Sequence, residues 1–361
     1  MSTPYDSLPP ERFWRASAAA PDAAAVGFDC GRKFGFAAAD RFATAGSCFA
    51  QHFSRHLAAR GARIVAAEER HPLVPEASGH GYGVFSTRSG NLYTARHLRE
   101  LLEQALGARA PLVECARRPD GRWVDLLRPR AVPMGFASEE HVAADRRFHL
   151  HAVRRMLEEM DVLVFTLGLT EAWENAEGGY CYPVVPGAVA GEFSAQRHRF
   201  VNYGVGAVLA DLRRVAELVE GVNRRARLLL TVSPVALAAT AEPRSVMVSS
   251  SASKSILRAA VDELVRALPI ADYFPSYEIV TGPYARGRYW AEGAREVTEE
   301  GVAVVMEVFV RSRMPGLAQG TAPVAAAPPS HEDGARRLQA FLDAECDELF
   351  LDPATRPTQG A

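Results

Sequence analysis

Apolar positions along the chain fall into two alternating patterns. Short unbroken apolar runs are separated by longer stretches in which apolar residues recur every third or fourth position. The first pattern marks strands buried on both faces, the second amphipathic helices. Residues 41–46 read as a strand feeding a helix over 47–60, and 63–67 as a short strand. The pattern then predicts helices over 93–105 and 138–159, a buried strand over 161–167 (DVLVFTL) and a long helix over 202–223. A second buried strand at 226–232 (ARLLLTV) stops at Ser233-Pro234. Residues 253–268 read as a helix, 273–280 as a short strand and 297–313 as a final helix. Such alternation predicts an α/β fold, a parallel sheet with helices on both faces. Ligands of such sheets bind at the carboxyl ends of the strands, so chemistry is expected at the strand-to-helix junctions.

The two ends fall outside this alternation. Residues 1–40, rich in Ala, Pro and Asp, read as an extended lead-in, and 316–330 (GLAQGTAPVAAAPPS) as a linker. Beyond it, the spacing of Leu338, Phe341, Leu342 and Leu349 suggests an amphipathic helix with an acidic face over 331–350, within a helical tail at 331–361. That helix offers a docking surface for the body or for a protein partner. One α/β domain over 41–315 is therefore expected between a lead-in and a tail.

Composition narrows the function classes. A formal net charge of −2 argues against nucleic acid or an anionic membrane as the dominant partner. No apolar run is long enough to span a membrane, and the N-terminus lacks the basic start and apolar core of a signal peptide. The 5 cysteines are widely spaced with no CxxC pair, which fits free thiols in a reducing cytoplasm. There is no GxGxxG, Walker or metal-ligand motif, so no cofactor or metal is expected. Lys33 and Lys254 are the only lysines among 41 basic residues, an arginine bias that reads first as a property of the coding genome.

Three junctions carry candidate chemistry. In the first, Gly46 permits a tight turn and Ser47 follows at a helix start, where free N–H groups stabilise an alkoxide or oxyanion. The alternative is a helix N-cap, which serine makes well without catalysis. Cys48 is a rival nucleophile, although its neighbours Phe49 and Ala50 favour a packed thiol. In the second, Gly168, Thr170 and Glu171 follow the DVLVF strand and offer close backbone approach, a hydroxyl and a carboxylate. The alternative is a plain β–α turn with Thr170 capping a helix. The third pairs Ser233 with residues 251–254 (SASK), which match the letters SxxK only weakly. Lys254 falls just inside the expected helix start, a poor place for a cation unless it is solvated or meets an anion. His52 points away from Ser47 on the same helix, and no histidine stands near a late junction.

Residues 46–50 (GSCFA) spell the motif that names the GSCFA family, and the chain resembles that family over about residues 41–313. The blocks 166–173 (TLGLTEAW), 231–235 (TVSPV), Ser253-Lys254 and 273–279 (YFPSYEI) follow in the family's order. The family is related to SGNH hydrolases. The resemblance therefore implies a three-layer α/β/α flavodoxin-like sheet and ester chemistry on acyl or acetyl groups, glycan esters included. It implies Ser47 as nucleophile, with the N–H of Ser47 or Cys48 helping to bind the oxyanion. Thr170 takes the place of an amide donor. A glycine among Gly81, Gly83 and Gly90 would supply a further donor from the loop that ends at Asn91. The resemblance fails at the last block, where an Asp-x-x-His pair is expected: Gly293 takes the Asp position and Glu296 the His position. Glu296 can act as the base, His80 or another loop histidine can enter, or the site can bind without reacting. Two functions follow: an SGNH-like esterase or O-acyltransferase, or a catalytically silent binding protein, accessory to polysaccharide assembly.

Overall fold

The unbroken apolar runs form a parallel sheet because both of its faces are covered. The computed structural model describes residues 3–28, 31–70, 82–316 and 347–351. Five parallel strands build the sheet: β1 (Arg41–Gly46), β2 (Arg63–Ile64), β3 (Val162–Leu167), β4 (Arg227–Val232) and β5 (Ala271–Tyr273). They lie in the order β5-β4-β3-β1-β2. This doubly wound order reverses direction between β1 and β3, the switch point at which such sheets bind ligands. Gly46 stands opposite Thr166, and Thr166 opposite Thr231, so three strands end level there.

Long helices sandwich the sheet: α1 (Phe49–Ala59), α2 (Ala95–Ala105), α3 (Glu139–Glu159), α4 (Val205–Val222), α5 (Val246–Ala267) and α6 (Glu299–Arg313). Successive strand residues point to opposite faces. Ala43, Ala45, Leu163, Phe165, Leu228 and Leu230 pack with α2, α3, α4 and α5. Phe42, Val162, Val164 and Leu229 pack with α1 and α6. The result is a three-layer α/β/α body. Side-chain caps set several helix starts: Thr94, Ser138, Ser245 and Thr298 each accept a backbone N–H of the first turn.

Several elements differ from the sequence reading. Ser245 starts α5 well before residue 253, so Lys254 lies inside the helix and not at its electropositive end. The strand expected over 273–280 ends at Tyr273, and Ser276–Thr281 is helical. Pro275, which lacks an N–H, separates the two. No helix follows β3 directly. Glu171–Asn175 is instead the middle strand of a three-stranded antiparallel sheet with Cys181–Tyr182 and His198–Asn202. A hairpin of Cys115–Arg117 and Trp123–Asp125 lies between α2 and α3.

The lead-in is also more than an extended strip. It contains helical turns at Trp14–Ala18 and Ala23–Val26, and Phe36 enters the core against Phe42, with ring centroids 5.4 Å apart. The Phe36 N–H donates to the Arg313 carbonyl at 2.7 Å. Lys33 Nζ donates to the Val265 and Leu268 carbonyls, placing a cation at the negative end of α5. Residues 317–346, which hold nearly all of the expected linker and most of the tail helix, lie outside the described residues. Asp347–Leu351 forms a 3-10 helix. Among the described residues, no helix is long and apolar enough to cross a membrane.

Gly46 is the tightest point of the sheet. Its φ is +135°, and a Cβ there would stand 2.4 Å from the Thr166 carbonyl oxygen. Gly46→Ala is expected to cost about 3 kcal/mol or more, read as a lower urea midpoint. Phe36→Ala is expected to cost about 3 kcal/mol by the same measurement, since it empties a buried aromatic site. A near-neutral Phe36→Ala would return the lead-in to a loosely attached strip.

Candidate active site

Ser47 stands where β1 leaves the sheet. Its N–H donates to the Thr166 carbonyl at 3.0 Å, and its carbonyl accepts the Ala50 N–H at 2.8 Å to open α1. The N-cap position belongs to Cys48, and no side chain makes the cap bond. Ser47 is 2% exposed, and its hydroxyl has no hydrogen-bond partner among the described residues. The capping alternative therefore fails. The Ser47 N–H, one of the two backbone donors expected for an oxyanion, is already committed to the strand ladder.

Ser47 lines a small, partly open cavity. Leu169, Val235 and Leu237 make its apolar wall, with Cys48, Tyr93, Gly168, Ser233 and Glu348 completing the lining. Cys48 is a buried thiol in an apolar cluster with Tyr93, Leu169 and Leu237, as packing predicts. Gly168 is needed for close approach: a Cβ there would meet the Tyr93 ring at 3.1 Å and Ser47 Cβ at 3.2 Å.

The other junction residues hold this geometry through bonds of their own. The Gly168 N–H donates to the Tyr93 carbonyl at 2.8 Å. Lys254 Nζ, buried inside α5, donates to the Gly168 carbonyl at 2.5 Å. One residue earlier on the same helix, Ser253 Oγ accepts the Thr170 N–H at 2.9 Å. The Ser-Lys block thus clamps the turn that borders Ser47. Thr170 directs its hydroxyl to Asn202 Oδ1 at 2.7 Å and does not line the cavity. Glu171 accepts from the Thr240 hydroxyl at 2.7 Å. Ser233 Oγ accepts the Val235 N–H at 3.3 Å.

Two expected residues are not brought to the site. Glu296 is exposed and lies outside the cavity; its carbonyl accepts the Ala291 N–H beside the Trp290–Val297 bridge. Gly83 is exposed in its loop and also outside the cavity lining. Gly81 and His80 lie outside the described residues. Asn91 is buried beside the site and reaches it through a residue that the sequence reading did not single out.

That residue is Asp347. Its carboxylate accepts from Asn91 Nδ2 at 2.9 Å and from the Tyr93 hydroxyl at 3.3 Å, and pairs with Arg130 at 3.4 Å. Its N–H donates to the Tyr93 hydroxyl at 2.8 Å. Phe350 is buried with Val184 and Ala188. Between these anchors Glu348 reaches the Ser47 cavity and pairs with Arg295 at 3.2 Å. Burial pushes the Glu348 carboxyl up; Arg295, Lys254 and a hydrogen bond from the Ala238 backbone oppose the rise, and Asp347 adds to it. The only local signal for this docking was the pairing of adjacent acids with the apolar residues that follow them.

The sequence model of the GSCFA family matches residues 41–309, well over half of the chain. The chain belongs to the GSCFA family. No curated protein and no solved structure matches it. In this GSCFA protein the family-like blocks converge on one place: the first carries Ser47, the second Gly168 and Leu169, the third Ser233 and Val235. The Ser-Lys block clamps them from α5.

Elsewhere the GSCFA body holds a buried polar network. Glu68 accepts from Arg88 Nε at 2.8 Å and pairs with His149 Nδ1 at 2.7 Å, while Arg88 and Arg128 share Asp145. Burial raises the Glu68 carboxyl, but the His149 bond and the two arginines outweigh it and hold it well below the usual range. Burial pulls His97 down to about 4, although its ring bonds the Tyr182 carbonyl, with Arg96 adding to the fall.

Two outcomes follow for stability. Lys254→Met strands the buried Gly168 carbonyl and is expected to cost about 2–3 kcal/mol in urea denaturation. The exposed Lys33→Met should cost less than about 1 kcal/mol. His97 binds a proton in the unfolded chain near 6.5 but in the folded chain only near 4. Its contribution is therefore full above about pH 6.5 and lost as pH falls toward 4, on the order of 3 kcal/mol. The urea midpoint should fall across that window, and His97→Gln should flatten the slope.

Proposed function

We propose that the protein is a serine-dependent acyl-ester enzyme, an SGNH-like esterase or O-acyltransferase, with Ser47 as its nucleophile. One observation carries this reading. Ser47 brings to a cavity at the β1/β3 switch point a buried hydroxyl without a hydrogen-bond partner among the described residues. The neighbouring hydroxyls of Thr170, Ser233 and Ser253 are bound elsewhere. The buried hydroxyls of Thr44, Thr166, Thr231 and Ser276 also have no partner among the described residues, but of this group Ser47 alone lines the cavity, which supports its reading as the group that meets a ligand.

The cavity dimensions favour a small acyl group. Beside Ser47 the pocket has room for about one water-sized molecule. Its wall of Leu169, Val235 and Leu237 suits an acetyl methyl, with the alcohol part of the ester, such as a glycan, left outside. Ser47 Oγ attacks the acyl carbon to form an acyl-enzyme, which passes the acyl group to water or to an acceptor hydroxyl. Cys48, Cys115 and Cys181 are thiols outside any disulfide and suit a reducing compartment, in keeping with work in the cytoplasm.

A second reading, a catalytically silent glycan-binding accessory, draws on the same site: among the described residues neither a histidine nor a carboxylate hydrogen-bonds the Ser47 hydroxyl. A fluorophosphonate probe and a panel of acetyl esters separate the two. The enzyme reading expects covalent labelling of the wild type and ester turnover, both abolished by Ser47→Ala. Equal behaviour of wild type and Ser47→Ala would leave the binding protein standing.

A further inference from the structure

We propose that Glu348, carried by the Asp347–Leu351 segment, is the proton acceptor of the Ser47 site and replaces the base missing from residues 293–296. This inference rests on the reading of Ser47 as nucleophile.

Three observations lead to it. Among the described residues, Glu348 is the only carboxylate lining the Ser47 cavity. The stretch expected to hold the base contributes Arg295 instead, and that guanidinium grips Glu348 at 3.2 Å. The stretch therefore still serves the site, but as the partner of a carboxylate brought from elsewhere. Finally, the segment is anchored on both sides of Glu348: Asp347 by Asn91, Tyr93 and Arg130, and Phe350 in its apolar pocket. A short 3-10 helix held at both ends positions the side chain between them, as a general base requires.

The charges facing Glu348 come from three elements: Arg295 from the 290–297 loop, Lys254 from α5, and Asp347 beside it. Burial raises the carboxyl while the two cations restrain the rise. A carboxylate tuned upward in this way takes a proton near neutral pH more effectively than a solvated one. No hydrogen bond joins Glu348 to Ser47 Oγ here; such bonds tighten when substrate fills the site.

The step balances without a further reagent. Ser47 Oγ forms a bond to the acyl carbon as its proton passes to Glu348, and the carbonyl π pair moves to oxygen. Collapse of the oxyanion breaks the bond to the alcohol, which leaves with the proton from Glu348. Water or an acceptor hydroxyl then attacks the Ser47 ester, giving its proton to Glu348. Ser47 Oγ departs and recovers that proton.

The test measures the rate at which a fluorophosphonate labels Ser47 in the full chain across pH 4–9. Glu348→Gln, checked for folding by circular dichroism, is expected to label about 100-fold more slowly and to lose the acidic limb of the profile. Glu348→Asp should keep a limb at a reduced rate. Arg295→Met removes a cation that favours the charged carboxylate, so the limb should move to higher pH. A purely structural ion pair would not move it. Wild-type labelling in Glu348→Gln, with Ser47→Ala unlabelled, would overturn this inference and leave Ser47 as nucleophile. An unshifted limb in Arg295→Met would overturn it as well. Identical behaviour of wild type and Ser47→Ala would overturn the nucleophile reading and the inference together.

Discussion

β1 and β3 run so close at their carboxyl ends that the chain admits no side chain at residue 46. A Cβ would stand 2.4 Å from the Thr166 oxygen, and the backbone adopts a φ of +135° to pass. The Ser47 N–H is thereby held in the strand ladder while its side chain is released from capping α1. Just past the end of the facing strand, Gly168 repeats the device against Ser47 Cβ and the Tyr93 ring. Two missing side chains thus create the space into which one hydroxyl projects.

Holding that space open requires buried charge, which an apolar interior tolerates only when paired or hydrogen-bonded. Lys254 meets the Gly168 carbonyl and lies near Glu348; Glu348 in turn meets Arg295. Removing any one of them leaves the others under-compensated in a dry setting, so they form a unit. Glu68, Arg88, Asp145 and Arg128 form a second paired network, while Asp347 holds Asn91.

Much of this was legible in the sequence because it is local. The apolar runs at β1, β3 and β4 announce strands covered on both faces, and Gly46-Ser47 and Gly168 announce turns at their ends. Errors arose where local pattern was weak. The Ser-rich start of α5 carries little apolar periodicity, so only its cap at Ser245 locates it. Alternating burial in Glu171–Asn175 is too short a signal to outweigh the expectation of a helix after a parallel strand. The carry-over of a base to Glu296 followed alignment position alone, and the residue is exposed. Asp347 and Glu348 were beyond reach for a different reason: their partners lie in distant segments, and no spacing encodes such a meeting.

That distance has a kinetic meaning. Asn91 and Asp347 are 256 residues apart, yet they share a hydrogen bond at the site. Contacts of such separation must overcome loop-closure entropy and tend to form after local ones. Synthesis also proceeds from the N-terminus, with early segments able to fold before later ones exist. A nascent chain therefore carries Ser47 in a nearly complete sheet long before Asp347–Leu351 arrives. The serine is born without its acidic neighbours, and the site is completed only when this late-made segment is set in place.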